Sequence, residues 1–279
     1  MRALILIAAL GAATAHADGG DLVVLASTIG PVEAGVVAAL EERFEQETGI
    51  RVRHVGAGTG EALKVAERGG IDLVLVHAKS LEEKFVKDGF GTERIPLMYN
   101  DFVIVGPATD PAGVRAAGSA AAALRAIATK EAPFVSRGDR SGTHVAELDL
   151  WSRAGLRPSG PWYVTWEKGA EGNAATLRFA DQRQAYTVID RATWLSVGSG
   201  LKLAILCEKD EALLNFITLI PVNPKKNPGV NHDGAMAFVR WLTSPEKGQK
   251  VIERFGVEKY GSPLFFPDSR EWKAARAAR

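Results

Sequence analysis

Nine consecutive residues carry most of the chemistry legible in this chain of 279. Ser136-Arg137-Gly138-Asp139-Arg140-Ser141-Gly142-Thr143-His144 places two Arg, two Ser, a Thr, an Asp and a His in one stretch. A guanidinium offers a planar fork of charged N–H donors that suits an oxyanion. Ser141 and Thr143 can cap a following helix and donate to the same anion. Asp139 would repel a dianion if it pointed inward, so a place behind the site, orienting Arg137 or Arg140, is expected. Two shorter stretches, Ser27-Thr28-Ile29-Gly30 and Gly58-Thr59-Gly60, have the same character. Either one alone would serve equally as a helix cap or a turn. All three lie where a short apolar run ends and a helical pattern begins. A helix start presents unpaired N–H groups and a partial positive charge. Three such ends meeting at one point make an anion site.

Other chemistries fit less well. Ser136, Asp139 and His144 have the residue types of a nucleophilic triad. One short loop would have to supply all three members; no G-x-S-x-G occurs, and neither Ser136 nor Ser141 opens an S-x-x-K. No phosphate loop of the form GxxxxGK[ST] occurs either. Binding is therefore preferred to catalysis, and no catalytic residue is assigned. The single Cys207 excludes an internal disulfide and a multi-cysteine metal site. The five His form no HExxH, so neither a protein-ligated metal cation nor a cofactor is expected. Thirty-four basic against 33 acidic residues give no charge excess to attract nucleic acid or an acidic membrane.

The elements that must position these loops follow from hydrophobic periodicity. Strands are expected at 22–25, 50–55, 71–77, 102–106, 133–135, 184–189 and 217–222. Helices are expected at 32–48, 61–68, 119–129, 143–153, 192–197, 232–242 and 245–255. Strand, loop and helix alternate, as in α/β architecture with a mostly parallel sheet. In such sheets the loops at the carboxyl ends of the strands line the ligand crevice.

The first residues read as an address. Met1-Arg2, an apolar run from Ala3 to about Ala13, and Ala15-His16-Ala17 make a secretory signal peptide, 1–17, cut after Ala17. The run is too short to span a bilayer, and no lipid-anchoring Cys follows it. A soluble protein of the bacterial periplasm, without a stable membrane anchor, is expected.

The chain resembles the substrate-binding proteins of tungstate ABC importers, a branch of the type II periplasmic binding proteins. The resemblance runs from about Leu22 to Pro267. It rests on GTGEAL at 58–63, DLVLVHA at 72–78, YNDFVIVGP at 99–107, SRGDRSGTH at 136–144, AYTVIDRATW at 185–194, LLNFITLIPVNP at 213–224 and WLTSPEKGQ at 241–249. It implies two α/β lobes, each a mixed sheet flanked by helices, with two crossover strands as the hinge. Lobe 1 would comprise 18–102 and 217–279, and lobe 2 would comprise 103–216. The ligand would sit in the cleft and pull the lobes together. A monomer working with an ABC permease and its ATPase is implied. Carried over as ligand residues are Ser27, Thr28, Thr59, Ser136, Arg137, Ser141, Gly142 and Thr143. The chain departs from the pattern in two places. Ile29, Gly30 and Ala34 stand where the family favours hydroxyl residues. Asn173 stands where the family's Gly-x-Gly-Met-Gly stretch has methionine, and its amide makes it a further candidate.

Tungstate and molybdate at neutral pH are fully deprotonated and only accept hydrogen bonds, whereas phosphate retains a proton and needs an acceptor. One unmatched buried group costs about 1–3 kcal/mol, enough for roughly 10- to 100-fold discrimination. The side on which Asp139 points therefore separates the two kinds of anion. Tungstate is expected first and molybdate second. A phosphate receptor of the same superfold is the alternative, followed by a secreted enzyme acting on phosphate esters and by a sensor module. The His, Trp and Cys residues outside the nine-residue stretch read as packing.

Overall fold

The structure is a computed structural model and describes residues 22–278. The expected signal peptide, 1–17, lies outside the described residues. Ten strands form: β1 (Leu22–Thr28), β2 (Arg51–Ala57), β3 (Leu73–Val76), β4 (Ile95–Pro107), β5 (Phe134–Ser136), β6 (Tyr163–Thr165), β7 (Thr187–Asp190), β8 (Leu203–Cys207), β9 (Leu214–Pro221) and β10 (Phe266–Pro267). One sheet runs β10-β4-β9-β3-β1-β2. β1 pairs in parallel with both β2 and β3, whereas β9 is antiparallel to β3 and to β4.

β4 is the element that joins the two halves. Its first part pairs with β9, with Asn100 opposite Asn215. Its second part pairs with β7 and β8, with Phe102 opposite Asp190 and Pro107 opposite Leu203. β5 extends this second sheet. The Val135 N–H donates to the Tyr186 carbonyl at 2.8 Å, and β5 pairs in parallel with β6.

Each lobe buries both faces of its sheet. Alternate residues on a strand point to opposite faces. Thus Leu25, Leu73 and Leu219 pack with Leu40, Phe44, Phe238 and Trp241 on one side. Ala26, Val74 and Ile220 pack with Leu63 and Phe85 on the other. In lobe 2, Ile104, Phe134 and Tyr186 pack with Leu124, Ile127 and Trp151, while Val103, Val135 and Ile189 meet Leu177 and Ala180. Strands covered on both faces must be apolar at every position, which explains runs such as Leu73–Val76.

Several expectations shift. β1 continues to Thr28 instead of stopping at Leu25, because Ser27 and Thr28 keep their register with Gly56 and Ala57. The helix expected from Val32 to Thr48 is two helices, Ile29–Glu33 and Val36–Thr48, with Gly35 at φ +84° between them. β4 starts at Ile95, seven residues before the expected strand. Pro96, Asn100 and Asp101 hide its first part from an apolar-run criterion. The helices Lys79–Lys87 and Asn173–Arg183 and the strand β8 were not expected.

Candidate functional site

The parallel order β3-β1-β2 sets three carboxyl ends side by side: Val76, Thr28 and Ala57. The chain leaves each end into a helix, at Ile29, Thr59 and Lys79. Lobe 2 brings its own strand end, Ser136, followed by the loop 137–141 and the helix Gly142–Arg153. The lobes meet at this edge. A Cβ on Gly142 would lie 2.7 Å from His77 Cε1, so only glycine lets the start of the lobe 2 helix approach the residue that follows β3.

The loop is tied together by its own side chains. The Arg137 guanidinium donates through Nη2 to Asp139 at 2.5 Å and through Nη1 to the side-chain oxygen of Asn173. Asp139 Oδ1 accepts from the Ser141 hydroxyl at 2.7 Å and from the Ser141 amide at 3.1 Å. Ser141 caps the helix, its Oγ accepting from the His144 amide at 3.4 Å. Burial pushes the Asp139 carboxyl up, but the two Ser141 hydrogen bonds and the Arg137 charge outweigh it and hold the group below the usual carboxylate range. Asp139 therefore lies behind Arg137 with both oxygens engaged, as expected for the orienting role.

Asn173 opens its helix, and its amide nitrogen donates to Asp190 Oδ2 at 2.5 Å. Asp190 in turn caps the helix Arg191–Val197 through the Thr193 amide at 2.8 Å. The next residue, Arg191, clamps Asp101 on β4 with Nε 2.8 Å from Oδ1 and Nη2 2.6 Å from Oδ2. A continuous polar chain thus runs from Arg137 to the crossover strand. Gly169 makes room for it, since a Cβ there would stand 1.7 Å from the Arg137 carbonyl oxygen.

The candidate residues divide by what they already satisfy. Thr28 Oγ1, Ser136 Oγ and Arg137 Nε are buried polar atoms without a well-formed hydrogen bond. They account for three of the five such side-chain atoms among the described residues; the others are Glu41 Oε1 and His232 Nδ1. The Ser27 hydroxyl is turned to the Thr28 carbonyl at 3.2 Å. Thr143 is buried in the first turn of its helix, and Thr59 is partly exposed at the start of its own. Ser141 and Asn173 are committed to the loop and to its support. Buried orphan donors cost about 1–3 kcal/mol each, so a set of them is a set of sites for an acceptor.

Ser136, Asp139 and His144 do not assemble as a triad. Asp139 engages Arg137 and Ser141, and His144 Nδ1 accepts from the Arg140 amide at 2.9 Å. Burial, with Arg137 and Arg140 nearby, keeps His144 below its ordinary value against the pull of Asp139. Sequence reasoning missed His77 and Asp190. DLVLVHA placed His77 after a buried strand, which marked a further carboxyl end at the crevice. Burial lowers the His77 pKa against the opposing effects of Glu82 and an Asn215 hydrogen bond.

Comparison with known proteins gives a consistent picture. Residues 11–246 match the PBP superfamily domain. The tungstate-binding protein TupA of Peptoclostridium acidaminophilum is 44% identical over 249 residues, spanning 88% of this chain and 86% of that protein. The solved structure of the tungstate-binding protein TupA from Desulfovibrio alaskensis G20 aligns with a TM-score of 0.81 at 42% identity, covering 89% of this chain and 99% of that one. The structure of the tungstate ABC transporter from Geobacter sulfurreducens aligns with a TM-score of 0.72 at 45% identity, covering 83% and 97%.

Proposed function

The chain belongs to the PBP superfamily, among the tungstate-binding proteins, and from that premise we propose that it is the periplasmic solute receptor of an ABC importer, capturing tungstate as a tetrahedral oxyanion between two lobes of the type II fold. It is a binding protein and not an enzyme. The observation that carries the reading is the matched pair of features in the site. Thr28 Oγ1, Ser136 Oγ and Arg137 Nε are buried donors without a well-formed hydrogen bond, while Asp139, the acceptor in the main loop, is fully used by Arg137 and Ser141. A guest that only accepts hydrogen bonds satisfies such a set. Phosphate, which must donate one, finds no free carboxylate in that loop.

Binding proceeds by capture and closure. Lobe 2 presents the guanidinium and the start of the helix Gly142–Arg153, whose unpaired N–H groups attract negative charge. Lobe 1 presents Thr28 and Thr59 from adjacent strand ends. Rotation about β4 and β9 brings the walls together until Gly142 meets His77. The lobe division at 18–102 with 217–279 against 103–216 is supported by core clusters that separate near residue 100 and again near residue 215. Delivery to a permease and its ATPase, export by cleavage after Ala17 and a monomeric state complete the proposal.

Calorimetric titration of the purified protein with tungstate, molybdate, sulfate and phosphate tests it. Tungstate is expected to bind with the highest affinity, and phosphate at least tenfold more weakly. Binding of phosphate alone would replace the ligand.

A further inference from the structure

The Arg137 guanidinium is held at two corners. Asp139 takes Nη2, and the side-chain oxygen of Asn173 takes Nη1. Nε is left buried and without a well-formed hydrogen bond. An asparagine amide has two ends of similar shape and opposite chemistry, since the oxygen accepts and the nitrogen donates. With its nitrogen turned to Arg137, donor would face donor. Asp190 selects the end. Its Oδ2 lies 2.5 Å from Asn173 Nδ2 and 2.6 Å from Thr193 Oγ1, and its Oδ1 accepts from the Thr193 amide at 2.8 Å. A carboxylate only accepts, so it draws the amide nitrogen to itself and leaves the amide oxygen for Arg137. Asp190 is itself firmly seated. It ends β7 opposite Phe102 of β4. The next residue, Arg191, grips Asp101 on β4 and reaches Glu208 at 2.8 Å.

We propose that Asp190 is a positioning residue for anion capture: by fixing which end of the Asn173 amide faces Arg137, it fixes the guanidinium plane and keeps Nε free for the oxyanion. Asp190 does this without touching the guest. A guanidinium held by Asp139 alone could pivot about that one contact. A second acceptor on the other Nη stops the pivot, so the direction of the remaining N–H is set before the guest arrives. Asn173, a ligand candidate by sequence, is on this reading the relay between the carboxylate and the guanidinium. The relay is anchored outside the anion loop, on the residue that ends β7 and, through Arg191, on the crossover strand.

The relay matters only if Arg137 contacts the oxyanion, as the proposed function holds, so the test includes that contact. Tungstate affinity is measured by calorimetry at pH 7.5 on the full mature chain and its variants. Asp190→Asn keeps the size of the side chain, and asparagine caps a helix as well as aspartate does. With its oxygen on the Thr193 amide, its nitrogen faces Asn173, which must then turn its own nitrogen to Arg137. Affinity is expected to fall at least tenfold, the scale of a lost charge-assisted hydrogen bond. In an Asn173→Ala background the same change is expected to cost less than twofold, because no amide remains to be turned. Asn173→Asp combined with Asp190→Asn exchanges the two groups, keeps the total charge and again sets an acceptor against Arg137. This exchange is expected to bind at least threefold more tightly than Asp190→Asn alone. Equal losses from Asp190→Asn in both backgrounds, or an exchange that binds no more tightly than the single variant, would overturn the proposal. If Asp190→Asn does not fold, Asp190→Ser, which caps the helix but is too short to hold Asn173, takes its place in the cycle with the same criterion. A wild-type protein that ignores tungstate, or an Arg137→Ala variant of unchanged affinity, would instead defeat the ligand reading, a result distinct from either outcome of the cycle.

Discussion

The two walls of the cleft are built on opposite plans. On the lobe 2 wall, Arg137, Asp139, Ser141, Asn173 and Asp190 form one hydrogen-bonded network that continues through Arg191 to Asp101 on the crossover strand. On the lobe 1 wall, Ser27, Thr28, Thr59 and His77 arrive from three parallel strand ends, and Ile29 stands 48% exposed where the family favours a hydroxyl. The difference teaches where the work of binding is stored. In the proposed mode of binding, lobe 2 holds charge and fixes its direction before the guest arrives, so little ordering remains to be done on binding. In the same proposal lobe 1 adds a few neutral donors and the closing surface. Thinning the hydroxyl residues of lobe 1 therefore costs less than any change to the lobe 2 loop.

Five measurements would break or sharpen this contrast. The largest effect is on stability and belongs to lobe 2. Glu147, on the helix Gly142–Arg153, is buried, and that burial raises its folded-state pKa to about 7, above its unfolded value, so its contribution is fully present below about pH 4.5 and is lost as pH rises through about 7. Between pH 5 and pH 8 the ligand-free protein should lose up to about 3 kcal/mol relative to Glu147→Gln. Denaturant unfolding at both pH values reads the difference, and parallel behaviour of the two proteins would remove the neutral buried acid from the lobe 2 wall. Next, Arg137→Ala should weaken tungstate binding at least tenfold, since a charge-assisted hydrogen bond contributes about 1.5–3 kcal/mol. Unchanged calorimetric affinity would move the site away from this loop.

Closure comes third. Gly142→Ala places a methyl group against His77 and should weaken binding about tenfold, a loss of roughly 1.4 kcal/mol, with recovery when His77→Ala is added. Failure of the second change to restore affinity would mean that the walls do not meet there. On the lobe 1 side, Thr28→Ala should cost only about three- to tenfold, the range of a neutral hydrogen bond. A loss exceeding that of Arg137→Ala would invert the comparison. The smallest effect is expected from His144→Gln. His144 is held below its ordinary pKa and is neutral at pH 7.5, so tungstate affinity there should change less than twofold.

The loops that end in chemistry were legible in the sequence because their signals are local. Ser141 reads as a helix cap, Arg137 as an anion fork, and the buried runs at Leu22–Leu25 and Leu73–Val76 as strands. What the sequence did not reveal depends on long-range pairing. Half of β4 is invisible because Pro96, Asn100 and Asp101 break its apolar pattern, and pairing with β9 and β10 on either side makes it a strand. Asn173 looked like a ligand, yet its amide oxygen and nitrogen engage Arg137 and Asp190, partners 36 and 17 residues away in the chain. His77 looked like packing, because nothing in the one-dimensional pattern tells that Gly142 lies beside it.

The most direct test is to crystallise the protein with sodium tungstate and locate tungsten by its anomalous scattering. The account predicts one strong peak between the lobes, its oxygens within hydrogen-bonding reach of Arg137 Nε, Ser136 Oγ and Thr28 Oγ1, with Asp139 still turned to Ser141. A peak confined to the outer groove beside Arg43 and Lys250, or an Arg137 swung away from the guest, would contradict it.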